Sequence, residues 1–350
     1  MKTIKMTLMV LVFILVLGGC HKLEKAAKPK EEPAFHIGVL VGAGGIGDQS
    51  FNQQAWEGIT KYTDRHHNVR AQMVVADGKT VEDHLKAAEE LIAAKANVII
   101  GLGPEFSGAI EKLQKEHPKI SYILVDGKLD EIETNTVVVT YAAAEVGFAA
   151  GAIASLQSAR GKVGFIGGKD TPSSKPYEEG FKEGVAHANK EYGKRTEIGN
   201  FQYCGSLSDI KKGEQLAKEM YDSGTDIIFV CAGAAGIGAL NEAKVRLEKG
   251  EHVYIISADR DQFKDGKLTD GKSVVLTSVI KHVDQTLYEL LEAYGNGAFP
   301  GGERLQKNFK NEGLSLPKEN KNFHHETKVH VEEVVEHLKS GKVKGQHHES

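Results

Sequence analysis

From Phe35 onward, short apolar runs alternate with stretches of helical periodicity. The runs are His36–Val41, Ala71–Ala76, Val98–Leu102, Ser121–Val125 and Thr136–Thr140. Between them lie Ser50–His66, Val81–Lys95 and Glu105–Glu116. Leu85, Ala88, Leu91 and Ile92 fall at i, i+3, i+6 and i+7, the stripe of one buried helix face. Strands that are apolar throughout, separated by such helices, predict a parallel sheet covered on both sides. A second series opens with the Ala/Gly-rich helix Glu145–Ala159. Its strands read Lys162–Ile166, Ile198–Tyr203, Ile227–Val230, Val253–Ser257 and Val274–Val279, and its helices Pro176–Glu191, Leu207–Ser223, Ile237–Lys249 and His282–Asn296. The halves are not sequence repeats, yet both follow the same βα order. The predicted fold class is α/β, with two doubly wound parallel-sheet lobes joined by a hinge.

Boundaries follow from this pattern. Lobe 1 is expected over 35–141 plus about 281–310, and lobe 2 over 142–280 plus about 311–342. Hinge segments are expected near Thr140–Ala144, Ser257–Ala258 and Val279–Lys281. Residues 318–326 are polar and loop-like. Thr327–Ser340 predicts an amphipathic helix with Val331, Val334, Val335 and Leu338 on one face, stopped by Gly341 and followed by a frayed tail, 343–350.

The first residues have a different logic. Lys2 and Lys5 precede an apolar core, Met6–Leu17, which is short for a bilayer span and fits a secretory h-region. Leu17-Gly18-Gly19-Cys20 resembles the bacterial lipobox. That resemblance implies a signal peptide over 1–19, cleavage before Cys20 and diacylation of its thiol; the plainer alternative is an uncleaved anchor with a chance Cys. Within a tether expected over 20–34, His21–Pro33 is Lys, Glu, Ala and Pro with almost no apolar content and cannot fold alone. Fully extended, it would reach at most roughly 45 Å from a membrane. Loss of residues 1–19 removes two lysines and takes the formal charge from −4 to −6. That charge gives no basic field for nucleic acid. Cys204 and Cys231 end separate strands with another expected between them. At roughly 4.8 Å per strand they stand about 10 Å apart, too far for a disulfide, so two buried free thiols are expected.

Candidate chemistry concentrates in Gly42–Asn52. Gly42-Ala43-Gly44-Gly45-Ile46-Gly47 matches G-x-G-x-x-G after a strand, the dinucleotide fingerprint. That fingerprint also needs a helix starting inside the motif and an acid about twenty residues on. Here Asp48 and Ser50 are N-cap types, Ser50 with Gln53 forms a capping box, and the acid ending the second strand, Asp77, comes about thirty residues after Gly47. A cofactor site is therefore not expected.

The fuller segment, Gly44-Gly45-Ile46-Gly47-Asp48-Gln49-Ser50-Phe51-Asn52-Gln53 with Trp56-Glu57-Gly58, resembles the basic membrane protein family, the purine-nucleoside-binding lipoproteins of bacterial ABC importers. Further matches are Leu124-Val125-Asp126, Glu145 with Gly147-Phe148-Ala149-Ala150-Gly151, Gly164-Phe165-Ile166-Gly167-Gly168 and Gly180-Phe181-Gly184. Gly233 with Gly236, Ala258-Asp259-Arg260-Asp261-Gln262 and Thr277-Ser278-Val279-Ile280-Lys281 complete them, over about residues 36–316. The resemblance implies a type I periplasmic-binding-protein-like fold, a monomer on the extracytoplasmic side of the cell membrane held by Cys20, and partnership with an importer's permease and ATPase. A nucleoside would lie in the interlobe cleft, stacked between Phe51 and Tyr177. Asp259 would accept from the ribose hydroxyls, Lys281 would donate to the 5′ oxygen and Asp126 would accept from a base N–H. Asn52 would offer donor and acceptor, and Gly233 would let backbone approach the sugar. Asp126, Gly233 and Asp259 independently fall at strand carboxyl ends, where open α/β sheets bind ligands. Read alone, each residue also has a plain role: core or surface helix for the aromatics, caps, turns and solvated charge for the rest. Family members often carry Asp at the place of Gly42, an acid implicated in reading the base, so the resemblance leaves base selectivity open. A non-transporting regulatory or surface lipoprotein on the same fold is the alternative.

No H-E-x-x-H, G-x-S-x-G or P-loop occurs, and nothing in the chain points to catalysis. His66-His67, His324-His325 and His347-His348 read as exposed pairs. His330, Glu333 and His337 share a helix face better explained as solvated than as metal-binding.

Overall fold

The computed structural model describes residues 35–76 and 78–342. The expected signal peptide over 1–19, Cys20 and the rest of the expected tether, Asp77, His347-His348 and the tail expected over 343–350 lie outside them. The first series forms β1 (Phe35–Val41), α1 (Phe51–Arg65), β2 (Val69–Val75), α2 (Val81–Ala93), β3 (Val98–Leu102), α3 (Ser107–Glu116), β4 (Ser121–Val125) and β5 (Thr136–Tyr141). The second begins with α4 (Ala143–Gln157), β6 (Lys162–Gly167), α5 (Lys175–Glu191), β7 (Glu197–Tyr203), α6 (Ile210–Asp222) and β8 (Ile227–Cys231). It continues through α7 (Gly236–Glu248), β9 (Tyr254–Asp259), β10 (Val275–Lys281), α8 (Val283–Gly295), β11 (Arg304–Lys307), β12 (Leu314–Ser315) and α9 (His325–Ser340).

The strands make two six-stranded sheets, ordered β11-β5-β4-β3-β1-β2 and β12-β10-β9-β8-β6-β7. Every pairing is parallel except β10 with β12. This is the expected two-lobed α/β architecture. Central strands β1 and β3 are buried end to end, as helices on both faces require. Edge strand β2 carries Arg70 and Gln72 and is only partly covered. Local signals agree with the global layout. Thr80 and Asp83 form a reciprocal capping box at α2, and Gly341, at φ 70°, closes α9 in the left-handed region. Cys204 and Cys231 are free and stand on either side of β6, as predicted; Cys204 is buried and Cys231 half-buried. Among the described residues no helix is long and apolar enough to cross a membrane.

Among the described residues the chain passes between the sheets three times: from β5 to α4 at Tyr141–Ala143, from β10 to α8 at Lys281–Val283, and between β11 and β12 over 308–313. Helix α8 then packs on α1 of the first sheet. The expected hinge at Ser257–Ala258 is corrected. Those residues lie inside β9, paired on one side with β8 and on the other with β10, and join nothing across the lobes. The third passage lies beside the lobe boundary set at about 310, but is absent from the expected hinge segments because β11 and β12, at 4 and 2 residues, leave no apolar run.

Helix α4 is buried almost all round, between its sheet, α5 and α9. It meets α5 through small residues on both sides. A Cβ at Gly147 would strike the carbonyl of Tyr177, one at Gly151 that of Phe181, and ones at Gly180 and Gly184 those of Ala144 and Phe148. Backbone lies directly on backbone, so the position of Tyr177 is fixed by α4. Gly151→Ala is expected to destabilise the protein by at least roughly 1–3 kcal/mol, read as a lower urea midpoint. Gly47→Ala, whose Cβ would meet nothing, should stay within about 0.5 kcal/mol.

Candidate functional site

The site begins where β1 ends. Gly42–Gly47 turn the chain, and Asp48 then accepts hydrogen bonds from the backbone N–H groups of Ser50 (2.9 Å), Asn52 (3.0 Å) and Gln53 (3.0 Å). Asp48 thus satisfies the free donors at the start of α1. Burial raises its carboxyl above the usual range, against the pull of the three donors. The capping box predicted for Ser50 and Gln53 is corrected, because Asp48 takes that work. The Ser50 hydroxyl is freed to donate to Asp259 Oδ2 in the other lobe at 2.7 Å. Phe51 and Asn52 follow on the first turn of α1, with Asn52 Nδ2 donating to the Gly45 carbonyl at 3.1 Å.

Two aspartates face each other from strand ends. Asp126 follows β4 and Asp259 ends β9, and both hold positive φ, 55° and 71°. Non-glycine residues in that region carry strain, which collects at sites where a side chain must be aimed. Asp126 Oδ1 accepts from the Tyr141 backbone N–H at 3.0 Å. Between the two acids stands Lys281, the last residue of β10, its side chain 4% exposed. Its Nζ lies 2.8 Å from Asp126 Oδ2 and 3.3 Å from Asp259 Oδ1. Burial works against the ammonium charge, but Asp126, then Tyr177 and Asp259, outweigh it and hold the group well above the ordinary lysine value. The Tyr177, Phe51 and Tyr141 rings surround the same ammonium, with centroids at 5.1, 5.4 and 5.7 Å.

These groups enclose a cavity of about 160 Å³ between the sheets. Phe51, Asn52, Asp126, Tyr177, Gly233, Asp259 and Lys281 all line it, so the structure brings together every cleft residue singled out in the sequence. Gly233 contributes backbone at φ 55°. Asp48, Glu105 and Cys231 also line it and were not foreseen there; Tyr141 stands behind Lys281. Glu105 had been read as the first residue of a helix. It sits instead in a 3₁₀ turn before α3, just past the end of β3, where the strand-end rule could have flagged it. Further interlobe contacts close the rim: Gln262 Nε2 donates to the Gln49 carbonyl at 2.5 Å, and Arg260 lies 3.8 Å from Glu57. Burial pushes the Cys231 thiol up, so no thiolate nucleophile is offered. Aromatic faces, paired acids and one buried ammonium suit a flat heterocycle bearing hydroxyls.

Residues 35–346 match the Bmp family, described as ABC transporter substrate-binding protein PnrA-like. The chain is 32% identical over 354 residues to a CD4+ T-cell-stimulating antigen of Listeria innocua, covering 96% of each. It is 29% identical to the ABC transporter nucleoside-binding protein BmpA of Lactococcus lactis, over 91% of this chain and 92% of that one. Among solved structures, an ABC transporter solute-binding protein of Aeropyrum pernix superposes with a TM-score of 0.78 at 22% identity, covering 90% of this chain and 94% of its own. This chain therefore belongs to the Bmp family of PnrA-like ABC transporter substrate-binding proteins.

Proposed function

We propose that this protein captures a nucleoside in the cleft and delivers it to the permease and ATPase of an importer while anchored to the membrane through Cys20. The convergence of Asp126 and Phe51 from one lobe with Tyr177, Asp259 and Lys281 from the other, around one cavity, carries the reading. Phe51 and Tyr177 supply π-faces for a base. Asp259 accepts from ribose hydroxyls, Lys281 donates to the 5′ oxygen, Asp126 accepts from a base N–H, Asn52 offers both kinds of partner and Gly233 admits the sugar. The nucleoside-binding name of the Lactococcus relative supports the ligand class. A ligand contacting both lobes stabilises only their closed arrangement, so it shifts that population without any chemical step.

The charge pattern bears on this cycle. With Lys281 held well above the usual lysine value, its bridge is complete below about pH 10 and fades only as pH rises through that elevated value. In Lys281→Met two enclosed carboxylates face each other unneutralised. The variant is expected to lose roughly 3–5 kcal/mol at pH 8. The urea midpoints of variant and parent at pH 8 measure that loss.

Titration calorimetry with purine and pyrimidine nucleosides tests the ligand. One-to-one binding is expected, with Asp259→Ala weakening it about 10–100-fold, the value of a hydrogen bond to a charged group. No heat from any nucleoside, with folded protein, sinks the ligand reading. In membrane fractionation, Cys20→Ala should move the protein to the soluble fraction; unchanged retention refutes the anchor.

A further inference from the structure

Four acids line the cavity, and three are already committed. Asp48 is saturated by three backbone N–H groups, and Asp126 and Asp259 share Lys281. The fourth, Glu105, accepts from its own backbone N–H and has no side-chain donor among the described residues. The charges it feels, Lys169 and His84, act on it without a hydrogen bond. A plain capping role would turn its carboxylate back onto the first N–H groups of α3, and it does not do so. The carboxylate lies instead over two glycines. A Cβ on Gly42 would stand 2.6 Å from Oε1, and one on Gly103 would collide with Oε2. Gly103, at φ 119°, is also a conformation other residues avoid. Two side-chain-free positions, at the ends of adjacent strands β1 and β3, therefore form the seat of this acid. Burial raises its carboxyl above the ordinary range and outweighs the single backbone N–H it accepts from.

We infer that Glu105 is the specificity-determining acid of the cavity, occupying the space a side chain at position 42 would fill and accepting a hydrogen bond from an amino or imino N–H on the base of the ligand. The inference rests on the nucleoside reading above. It assigns this chain's base selection to the β3–α3 turn rather than to the loop after β1. A base lacking that N–H leaves the carboxylate enclosed and unpaired, and discrimination arises from that penalty.

Calorimetry on the full chain with inosine and 1-methylinosine provides the test. The methyl group removes the imino N–H and keeps the sugar. The parent protein should bind inosine at least 10-fold more tightly than its methylated analogue. Glu105→Ala should lose about 10–100-fold for inosine and little for 1-methylinosine. Gly42→Asp alone should bind less tightly than the parent, because two carboxylates then compete for one space. Gly42→Asp combined with Glu105→Ala should recover at least 10-fold over Glu105→Ala. Melting curves check that each variant is folded. Glu105→Ala binding both ligands as the parent does, or weakening both equally, overturns the inference while leaving the nucleoside reading intact. A folded parent that binds no nucleoside overturns both.

Discussion

The bridge Asp126–Lys281–Asp259 is the constraint on which the rest of the site depends. One ammonium is shared by acids from two sheets: Asp259 is paired with Lys281 within its own lobe, while Asp126 gains that cation only from the other lobe. Only the closed arrangement pairs all three. The same ammonium is ringed by Phe51, Tyr141 and Tyr177, again drawn from both sides. A cation among π-faces and carboxylates is held electrostatically without being locked covalently, and a ligand with hydroxyls and a flat ring can replace part of that company. The cavity is thus held by interactions of the kinds a polar aromatic ligand would make.

Rigid packing outside the cavity sets where these groups stand. Tyr177 owes its place to glycines that lay α4 against α5. Next to it, Glu178 is gripped by Lys175, Lys182 and the Tyr203 hydroxyl. Those bonds overcome its burial and hold its carboxyl down at about 2. On the other lobe, Asp48 locks the first turn of α1, which aims Phe51 and Asn52 and releases Ser50 to reach Asp259. Among the described residues three short chain passages join the lobes, at Tyr141–Ala143, Lys281–Val283 and 308–313, while the side chains of the site are positioned by packing within each lobe.

Much of this was legible from residues alone. Strands as apolar as Val98–Leu102 and helices as periodic as Val81–Ala93 announce themselves, because burial on both faces or on one stripe imposes a composition. That Asp126, Gly233 and Asp259 end strands was legible from the residues, but singling out all seven needed the family resemblance, since an aspartate ending a strand looks the same whether it caps a turn or faces a cavity. Other features left no local trace. β11 and β12 exist because neighbouring strands offer edges, and Ser50 reaches across the cleft only because Asp48 has taken the cap. Side-chain competition of that kind depends on distances across hundreds of residues, which no window of sequence contains. The hinge assigned to Ser257–Ala258 failed for the complementary reason: a strand interior and a chain passage differ in what pairs with them.

The glycines after β1 show how one segment can support two opposite readings. As a fingerprint, Gly42, Gly44 and Gly47 would bring backbone to a pyrophosphate on a helix N-terminus. Here that N-terminus is already filled by the carboxylate of Asp48, and an anion placed there would meet that buried acid. The donors a phosphate needs are spent, and the surrounding groups include three further acids against a single enclosed ammonium. Such a cavity favours a ligand that donates hydrogen bonds over one that brings negative charge. The glycines serve instead to remove bulk, at Gly42 where the Glu105 carboxylate comes to rest. The electrostatics of the cleft thus argue against the phosphate reading of the loop, on the same residues whose order first suggested it.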